Sequence, residues 1–279
     1  MIERVSDDPW IAVVAEPELI DPSNEATANS AAVTDAISCD GVSKWYGSFL
    51  ALDDLNLYVE YGEVVSIIGR SGAGKSTFIR CINRLERQDR GEITVLGMSD
   101  VDDPRETRLL RQRVGMVFQD FNLFPMLSVE QNVWAALRLV HGWSTEQAKE
   151  WSAEMLDRVG MSRHANKRPS ELSGGEQQRV AIARTLAVQP DVILLDEPTA
   201  SIDPELTKGV MRLVAEIAAT DVTVVAVTHE MGFATGVSDR VLFFDKGRLV
   251  EEGTPDHMFG SPDQPETRRF LLDARLTMA

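Results

Sequence analysis

The sequence predicts an α/β protein with a parallel-sheet core, an antiparallel β subdomain and a helical insertion subdomain. Short, continuously apolar runs, such as those within 63–69 and 191–197, have the length and composition of buried strands. Helical patterns separate these runs, which is the alternation that builds a parallel sheet. From 128 to 168, by contrast, no strand pattern occurs. These observations place a helical segment inside an otherwise alternating α/β chain.

The antiparallel strands are predicted near both ends of the regular pattern. Residues 52–63 alternate apolar and polar side chains, as a half-exposed strand does. Near the other end, the runs at 240–247 and 248–253 meet at a turn of the DKG type, which predicts a hairpin. The remaining predicted strands lie at 114–119, 191–198 and 222–229.

Helices are predicted at 76–85, at 204–219 and within the insertion. Ser144 and Gln147 have the spacing of a capping box. A stripe of apolar residues begins four residues after Ser144, and its members recur at steps of three and four residues. The members of the stripe are Ala148, Trp151, Met155 and Val159. We therefore expect a helical subdomain at about 120–175, within a single domain that spans 37–279.

Composition narrows the classes of function. The chain has 279 residues and a net charge of −16, which argues against a protein that binds nucleic-acid phosphates through basic patches. Its longest apolar runs are strand-sized, well below the ~20 residues of a membrane-spanning helix. Two cysteines, Cys39 and Cys81, are too few for a disulfide framework and indicate reduced thiols.

The first 36 residues differ in composition from the rest of the chain. They are rich in acidic residues, Ala, Ser and Pro, and their basic residue is Arg4. This composition predicts a solvated, disordered tail. A docking or autoinhibitory segment anchored by Trp10 is the alternative.

A complete phosphate-binding loop lies at 69–77, with the sequence GRSGAGKST. It follows a predicted buried strand and precedes a predicted helix, as the P-loop of a nucleoside triphosphatase must. Lys75 is placed to reach the β- and γ-phosphate oxygens, and Ser76 is placed to ligate Mg²⁺. The residues predicted to contact the nucleotide here are Gly69, Ser71, Gly72, Ala73, Gly74, Lys75, Ser76 and Thr77. The alternative is a chance glycine-rich turn.

Two carboxylates follow the strand of VILLDEPT. Asp196 ends this strand, where it can bind Mg²⁺ through water. Glu197 can accept a proton from an attacking water, which is the role of a general base. Acidic residues after a strand often only cap the next helix, but the P-loop in the same chain favours the catalytic interpretation.

Three further side chains are expected near the nucleotide. His229 and Gln119 end two other predicted strands, and the carboxyl ends of parallel strands share one edge, where ligands bind. Gln119 is therefore predicted as both a catalytic and a metal-binding residue. Tyr46 is predicted as a platform for the adenine ring, with core packing as the alternative; its neighbour Trp45 is the weaker candidate.

The stretch ELSGGEQQRV, at 171–180, has two glycines at a predicted helix start but no lysine. Ser173 and Glu176 fit a capping box, which explains the helix but does not require paired glycines. Bare backbone at Gly174 and Gly175, beside a helix N-terminus, suits close approach of a phosphate.

The chain resembles the ATP-binding subunits of ABC transporters in the identity and order of its motifs. These are the P-loop, Gln119, LSGGEQ, LLDEP and His229. The words CINRLE, VFQDFNLFP, THEMGFA and VEEGTP are most similar to those of polar amino-acid importers. The resemblance implies an ABC-type P-loop ATPase that uses ATP and Mg²⁺. It also implies that Gln119 joins the helical subdomain to the core and helps to sense the γ-phosphate and Mg²⁺.

The resemblance further implies a head-to-tail dimer that closes two ATP molecules at its interface. Each ATP would contact the P-loop of one subunit and residues 173–176 of the other, so Ser173, Gly174, Gly175 and Glu176 are nucleotide-binding residues of the partner's site. Asp203 would lie in the loop that crosses this interface. The chain has ASID where the family usually has Ser-Ala-Leu-Asp, so Ser201 is displaced by one position.

The expected partners are a second ATPase subunit, most simply an identical one, and separate transmembrane permease subunits. A solute-binding protein is an indirect partner, nucleic acid is not one, and the expected location is the cytoplasmic face of the cell membrane. Phe121, Leu123 and Phe124 are candidates for the groove that receives a permease helix, with internal packing as the alternative.

Other functions are alternatives to amino-acid uptake. Export or lipoprotein release fits the same ATPase, because the membrane partner sets the direction of transport. A soluble ABC ATPase of DNA repair would need a long coiled-coil insertion, which the sequence lacks. A P-loop kinase or GTPase would not need LSGGEQ.

Overall fold

A computed structural model describes residues 35–99, 103–200 and 202–278 of the protein. The acidic tail predicted for 1–36, with Trp10, lies outside the described residues apart from its last two positions. Ser201 also lies outside them. Within the described part of the chain, no helix is both long enough and apolar enough to span a membrane.

The described residues form ten strands and nine α-helices. In chain order the strands are β1 (Asp35–Tyr46), β2 (Phe49–Glu60), β3 (Val64–Gly69), β4 (Arg90–Val95), β5 (Met98–Ser99), β6 (Val114–Val117), β7 (Val192–Asp196), β8 (Thr223–Val227), β9 (Arg240–Asp245) and β10 (Arg248–Gly253). The helices are α1 (Lys75–Ile82), α2 (Pro104–Arg113), α3 (Val129–His141), α4 (Thr145–Arg158), α5 (Gly174–Ala187), α6 (Pro204–Ala218), α7 (Met231–Gly236), α8 (Pro255–Gly260) and α9 (Pro265–Met278).

The central sheet is parallel apart from the strand at one edge, β10. Its order is β10-β9-β3-β8-β7-β6, and β10 alone pairs antiparallel, forming the predicted hairpin with β9. Every residue of β3, β7 and β8 is buried, as their continuously apolar sequences predict. The predicted α/β class with a parallel core is confirmed.

A second, antiparallel sheet has the order β2-β1-β4-β5. Its apolar face lies over α1 and the central sheet, since Leu52 and Leu55 of β2 share one buried cluster with Phe78 of α1 and Phe244 of β9. The rings of Phe78 and Phe244 are 5.6 Å apart. This packing sets the antiparallel sheet beside the start of α1, where the P-loop ends.

The helices α3, α4 and α5 pack together around a separate part of the core. Capping boxes begin α3 at Ser128 and α4 at Ser144, because each serine hydroxyl accepts the N–H three residues later and that glutamine returns a bond. Trp151 of α4 donates from Nε1 to the carbonyl of Ala187 at 3.0 Å. This bond fixes α4 against the end of α5.

The turn out of β3 depends on a glycine. Gly69 has φ of 149°, and a Cβ placed on it would lie 2.2 Å from the carbonyl oxygen of Phe244. That oxygen belongs to the backbone of the neighbouring strand and cannot move away without breaking the sheet. Gly72, at the tip of the same loop, has φ of 77° and no atom within 4 Å of such a Cβ.

We therefore expect Gly69→Ala and Gly72→Ala to differ sharply in stability. Gly69→Ala should lower the free energy of unfolding by about 3 kcal/mol or more, because it combines backbone strain with a clash. Gly72→Ala should lower it by about 1–2 kcal/mol, the cost of a left-handed conformation alone. Urea unfolding followed by circular dichroism measures both values, and equal losses would contradict the assigned clash.

Candidate functional site

The P-loop curves from the end of β3 into α1 around the amine of Lys75. The Lys75 side chain is only 4% exposed, and its Nζ donates to the carbonyls of Gly69 at 2.9 Å and Arg70 at 3.0 Å. Burial lowers the pKa of Lys75, while the carboxylates of Glu197 and Asp196 oppose this shift. A cation held by carbonyl groups within a concave loop at a helix N-terminus suits a phosphate ligand.

The other residues of the loop have distinct places. Ser71 and Gly72 are exposed at its tip, whereas Ala73 is buried and accepts the N–H of Gly247 at 3.1 Å. Gly74 has φ of 96°, and a Cβ there would lie 2.4 Å from the carbonyl oxygen of Ala51. The loop is thus held closely on its inner side and open on its outer side.

Ser76 and Asp196 meet at the base of the loop. The Ser76 hydroxyl donates to Oδ1 of Asp196 at 2.7 Å, and the Asp196 side chain is only 2% exposed. Arg80, one turn further along α1, contacts Oδ2 of Asp196 at 3.3 Å. A hydroxyl and a carboxylate are hard oxygen ligands, so this pair fits Mg²⁺. No sequence pattern marks Arg80, because its contact joins residues far apart in sequence.

Glu197 lies between His229 and Lys75. Its Oε1 is 3.0 Å from Nε2 of His229 and 3.9 Å from Nζ of Lys75. The hydrogen bond with His229 lowers the pKa of Glu197, burial opposes this, and the charges of His229 and Lys75 add to the lowering. The carboxyl group is therefore anionic near neutral pH and able to accept a proton.

The backbone of Glu197 is strained. Its φ is 48°, a left-handed conformation that costs a non-glycine residue about 1–3 kcal/mol. The N–H of Glu197 donates to the carbonyl of Val227 at 3.0 Å, which holds this conformation at the end of β8. A cavity of about 330 Å³ opens beside the Glu197 and His229 side chains. The carboxylate is thus fixed at the wall of a space that can hold a reactant.

Tyr46 stands at the end of β1, beside the first turn of α1. Its side chain is 44% exposed, which excludes the core-packing alternative. Burial of its hydroxyl raises the pKa of Tyr46, and a hydrogen bond with the Thr77 hydroxyl opposes this shift. Trp45 packs instead against Arg90, 5.2 Å from its ring centre. The Tyr46 ring therefore lies next to the P-loop and is partly exposed, with Nζ of Lys44 over it at 5.5 Å from its centre.

Gln119 is exposed, two residues beyond the end of β6. Two and three residues further on, Phe121 and Asn122 both have left-handed φ values, of 61° and 49°. Arg184 of α5 donates to both of their carbonyls, at 3.1 Å and 2.7 Å. Sequence reasoning missed Arg184 because its partners are backbone atoms, which leave no residue pattern.

Residues 173–176 form the first turn of α5 and its cap. The Ser173 hydroxyl accepts the Glu176 N–H, and the Glu176 carboxylate accepts the N–H and hydroxyl of Ser173 at 2.7 Å and 2.9 Å. The Ser173 N–H lowers the pKa of Glu176, burial opposes this, and the charges of His164 and Lys167 add to the lowering. His164 lies 3.3 Å from the carboxylate. The predicted cap is therefore present.

The structure does not join this turn to the P-loop of the same chain. In the described residues, the side-chain contacts of Ser173 and Glu176 run to each other and to His164, whereas those of Lys75 and Ser76 run to the ends of β3 and β7. Asp203 sits just before α6, where its carbonyl accepts the N–H of Thr207 at 3.1 Å.

Comparison with known proteins gives concordant matches. A family model described as ABC transporter matches residues 52–200. An uncharacterised amino-acid ABC transporter ATP-binding protein of Escherichia coli K12 is 47% identical over 84% of this chain and 93% of its own length. A glutamine transport ATP-binding protein of Bacillus subtilis is also 47% identical, over 84% of this chain and 97% of its own. A glutamate/aspartate import ATP-binding protein of Escherichia coli K12 is 47% identical over 84% of this chain and 98% of its own length.

Solved structures match as well. A dimeric ATP-binding cassette in a post-hydrolysis state, bound to ADP and phosphate, is 35% identical, with a TM-score of 0.73. The match covers 78% of this chain and 98% of that one.

Proposed function

Because the chain belongs to the ABC transporter family and is an ABC-type ATPase, we propose that it powers the uptake of polar amino acids or related small polar solutes. The observation that carries the ATP-hydrolysis part of this proposal is the grouping of catalytic and phosphate-binding side chains at one edge of the central sheet, namely Lys75, Ser76, Asp196, Glu197 and His229. The amino-acid transport named for several relatives supports the choice of solute.

The described contacts suggest a role for each of these groups. Lys75 would exchange its carbonyl partners for phosphate oxygens of ATP, while the P-loop N–H groups bind the remaining oxygens. Ser76 and Asp196 would hold Mg²⁺, and Gln119 would approach it from the end of β6. When bound, Mg²⁺ neutralises charge that develops on the β- and γ-phosphates.

Hydrolysis would begin at Glu197. Its anionic carboxylate would orient a water molecule toward the γ-phosphorus and accept a proton from it, while the bond to the β–γ bridging oxygen breaks and ADP leaves. His229, at 3.0 Å, would hold the carboxylate in place. Tyr46 would stack on the adenine ring.

Among the described residues, the printed side-chain contacts of residues 173–176 do not run to the P-loop of the same chain, which supports a head-to-tail dimer. Ser173, Gly174, Gly175 and Glu176 would complete the partner's nucleotide site, and Asp203 would contact the partner across the interface. Solved relatives of this fold are described as dimeric. Each chain would then supply half of two active sites.

Membrane subunits would dock beside Gln119. Phe124 is 50% exposed and Met126 61% exposed, whereas Leu123 packs partly against the core around α3 to α5. We place the chain at the cytoplasmic face of the membrane, bound there by permease subunits and linked through them to a solute-binding protein.

Glu197→Gln should separate ATP binding from hydrolysis. Because the amide cannot accept the proton of the attacking water, the rate of phosphate release should fall by about 100-fold or more. Binding of a fluorescent ATP analogue should stay within a few-fold of wild type. Hydrolysis close to the wild-type rate would contradict the role assigned to Glu197.

Mixing of inactive variants tests whether residues 173–176 act on the partner's nucleotide. Lys75→Ala removes the amine that would bind phosphate, and Ser173→Arg places a large side chain at the cap of α5. Each homodimer should therefore be inactive. A mixed dimer has one intact site, and an equal mixture should recover about a quarter of wild-type ATPase activity.

The matched control for this mixture is Lys75→Ala with Glu197→Gln. Both substitutions affect the same half of the site, so every mixed dimer lacks an intact one and should stay inactive. If the first mixture is as inactive as the control, residues 173–176 do not act in the partner's site.

Affinity purification of the chain from membranes of its own cells tests the transport partner. We expect amino-acid permease subunits to copurify, and their loss when Phe124 and Met126 are both replaced by Asp. Copurification with subunits of an export or lipoprotein-release system would contradict uptake, while leaving the ATPase assignment unchanged.

A further inference from the structure

Three potential metal ligands from three segments meet far along the chain from the P-loop. Glu251 lies on β10, His257 on α8, and Asp263 in the turn that enters α9. The Nε2 atom of His257 is 3.4 Å from Oε1 of Glu251 and 3.5 Å from Oδ2 of Asp263. One ligand atom from each residue lies within 4.8 Å of the others.

These separations differ from those of direct hydrogen bonds. A charged N–H···O bond between imidazole and carboxylate has a length of about 2.7–2.9 Å, so His257 is not closely bonded to either acid. In a tetrahedral zinc site with bonds of about 2.1 Å, neighbouring ligand atoms lie about 3.4 Å apart. The His257 nitrogen therefore stands at ligand distance from both oxygens.

The charges also favour a cation. Among the described residues, His257 is the basic side chain paired with each carboxylate. Arg268 reaches only the backbone carbonyl of Asp263, at 3.0 Å. Two carboxylates thus converge on one imidazole.

The carboxylate of Glu251 is held in advance. It accepts the N–H of Asp263 at 2.5 Å and that of Gln264 at 3.1 Å, and outer hydrogen bonds of this kind orient metal-binding carboxylates. The Thr267 hydroxyl, which is fully buried, lies beside the same carboxylate as a further hydrogen-bond donor.

We propose that Glu251, His257 and Asp263 form a binding site for a divalent transition-metal ion, best suited to Zn²⁺ and separate from the nucleotide site. One imidazole nitrogen and two carboxylate oxygens, with water as a fourth ligand, match the ligand preferences of zinc. Mg²⁺ prefers an octahedral set of oxygens and fits poorly. The ion would join β10, α8 and the start of α9, whose Asp273 contacts Arg70 of the P-loop at 2.7 Å.

Titration of the full chain, stripped of metal with a chelator and free of nucleotide, tests the site. We expect one Zn²⁺ to bind per chain in a calorimetric titration at micromolar protein. Co²⁺ bound in its place should give the strong visible absorption of a tetrahedral site. Excess Mg²⁺ should not displace either ion.

Substitutions test whether Zn²⁺ binds at this site or at another histidine. His257→Gln and Asp263→Asn should each weaken Zn²⁺ binding by about 100-fold, since a direct ligand should matter at least as much as an outer partner. Asp263 is 80% exposed, so its replacement should not disturb folding. The control is His141→Gln, because His141 bonds the Val188 carbonyl at 3.1 Å and should leave binding unchanged.

Three results would overturn the proposal. They are binding at millimolar Zn²⁺ only, equal affinity of wild type and Asp263→Asn, and an equal loss in His257→Gln and His141→Gln. Circular dichroism of each variant excludes unfolding as the cause. None of these outcomes bears on ATP hydrolysis, so the site and the proposed function fail independently.

Discussion

The parallel pairing of β7 with β8 is the constraint on which the candidate site depends. In this register Asp196 lies opposite Val227, and the Glu197 N–H donates to the Val227 carbonyl. The side chains that follow these two strand ends, Glu197 and His229, therefore meet at 3.0 Å. A slip of one residue would move each side chain by about 3.3 Å and turn it to the other face of the sheet. Complete burial of both strands makes such a slip costly.

Sequence predicted most of this site because its residues mark the ends of strongly apolar strands. The sequence alone places Lys75, Asp196, Glu197 and His229 at one edge, since the carboxyl ends of parallel strands meet there. Strand β4 was not predicted, because its first three residues are exposed and it lacks a continuous apolar run. Its place in the sheet comes from antiparallel pairing with β1 on one side and β5 on the other.

The residues that sequence reasoning missed act through backbone atoms or distant partners. Arg184 bonds two carbonyls some sixty positions away, and Arg80 reaches Asp196 across the sheet. Neither contact has a periodic or spacing signature, because a long flexible side chain can satisfy it from several positions. His164 beside Glu176 is similar: its ring offsets the negative charge of the cap only after the chain has folded back on α5.

The electrostatics of the P-loop explain why it should bind an anionic ligand. Burial lowers the pKa of Lys75, so the loop holds a charge that carbonyl groups solvate only partly. A phosphate would replace those carbonyls with a full negative charge, and the interaction is strong in a site of low exposure.

The same phosphate would approach the anionic Glu197, which is 3.9 Å from Lys75 and would then lose part of its counter-charge. His229 bonds the same oxygen of Glu197, at 3.0 Å, and would still favour the anionic form of that carboxylate. The pair of Lys75 and His229 thus allows one carboxylate to remain anionic beside a polyanionic substrate, which is the condition that a base for water attack requires.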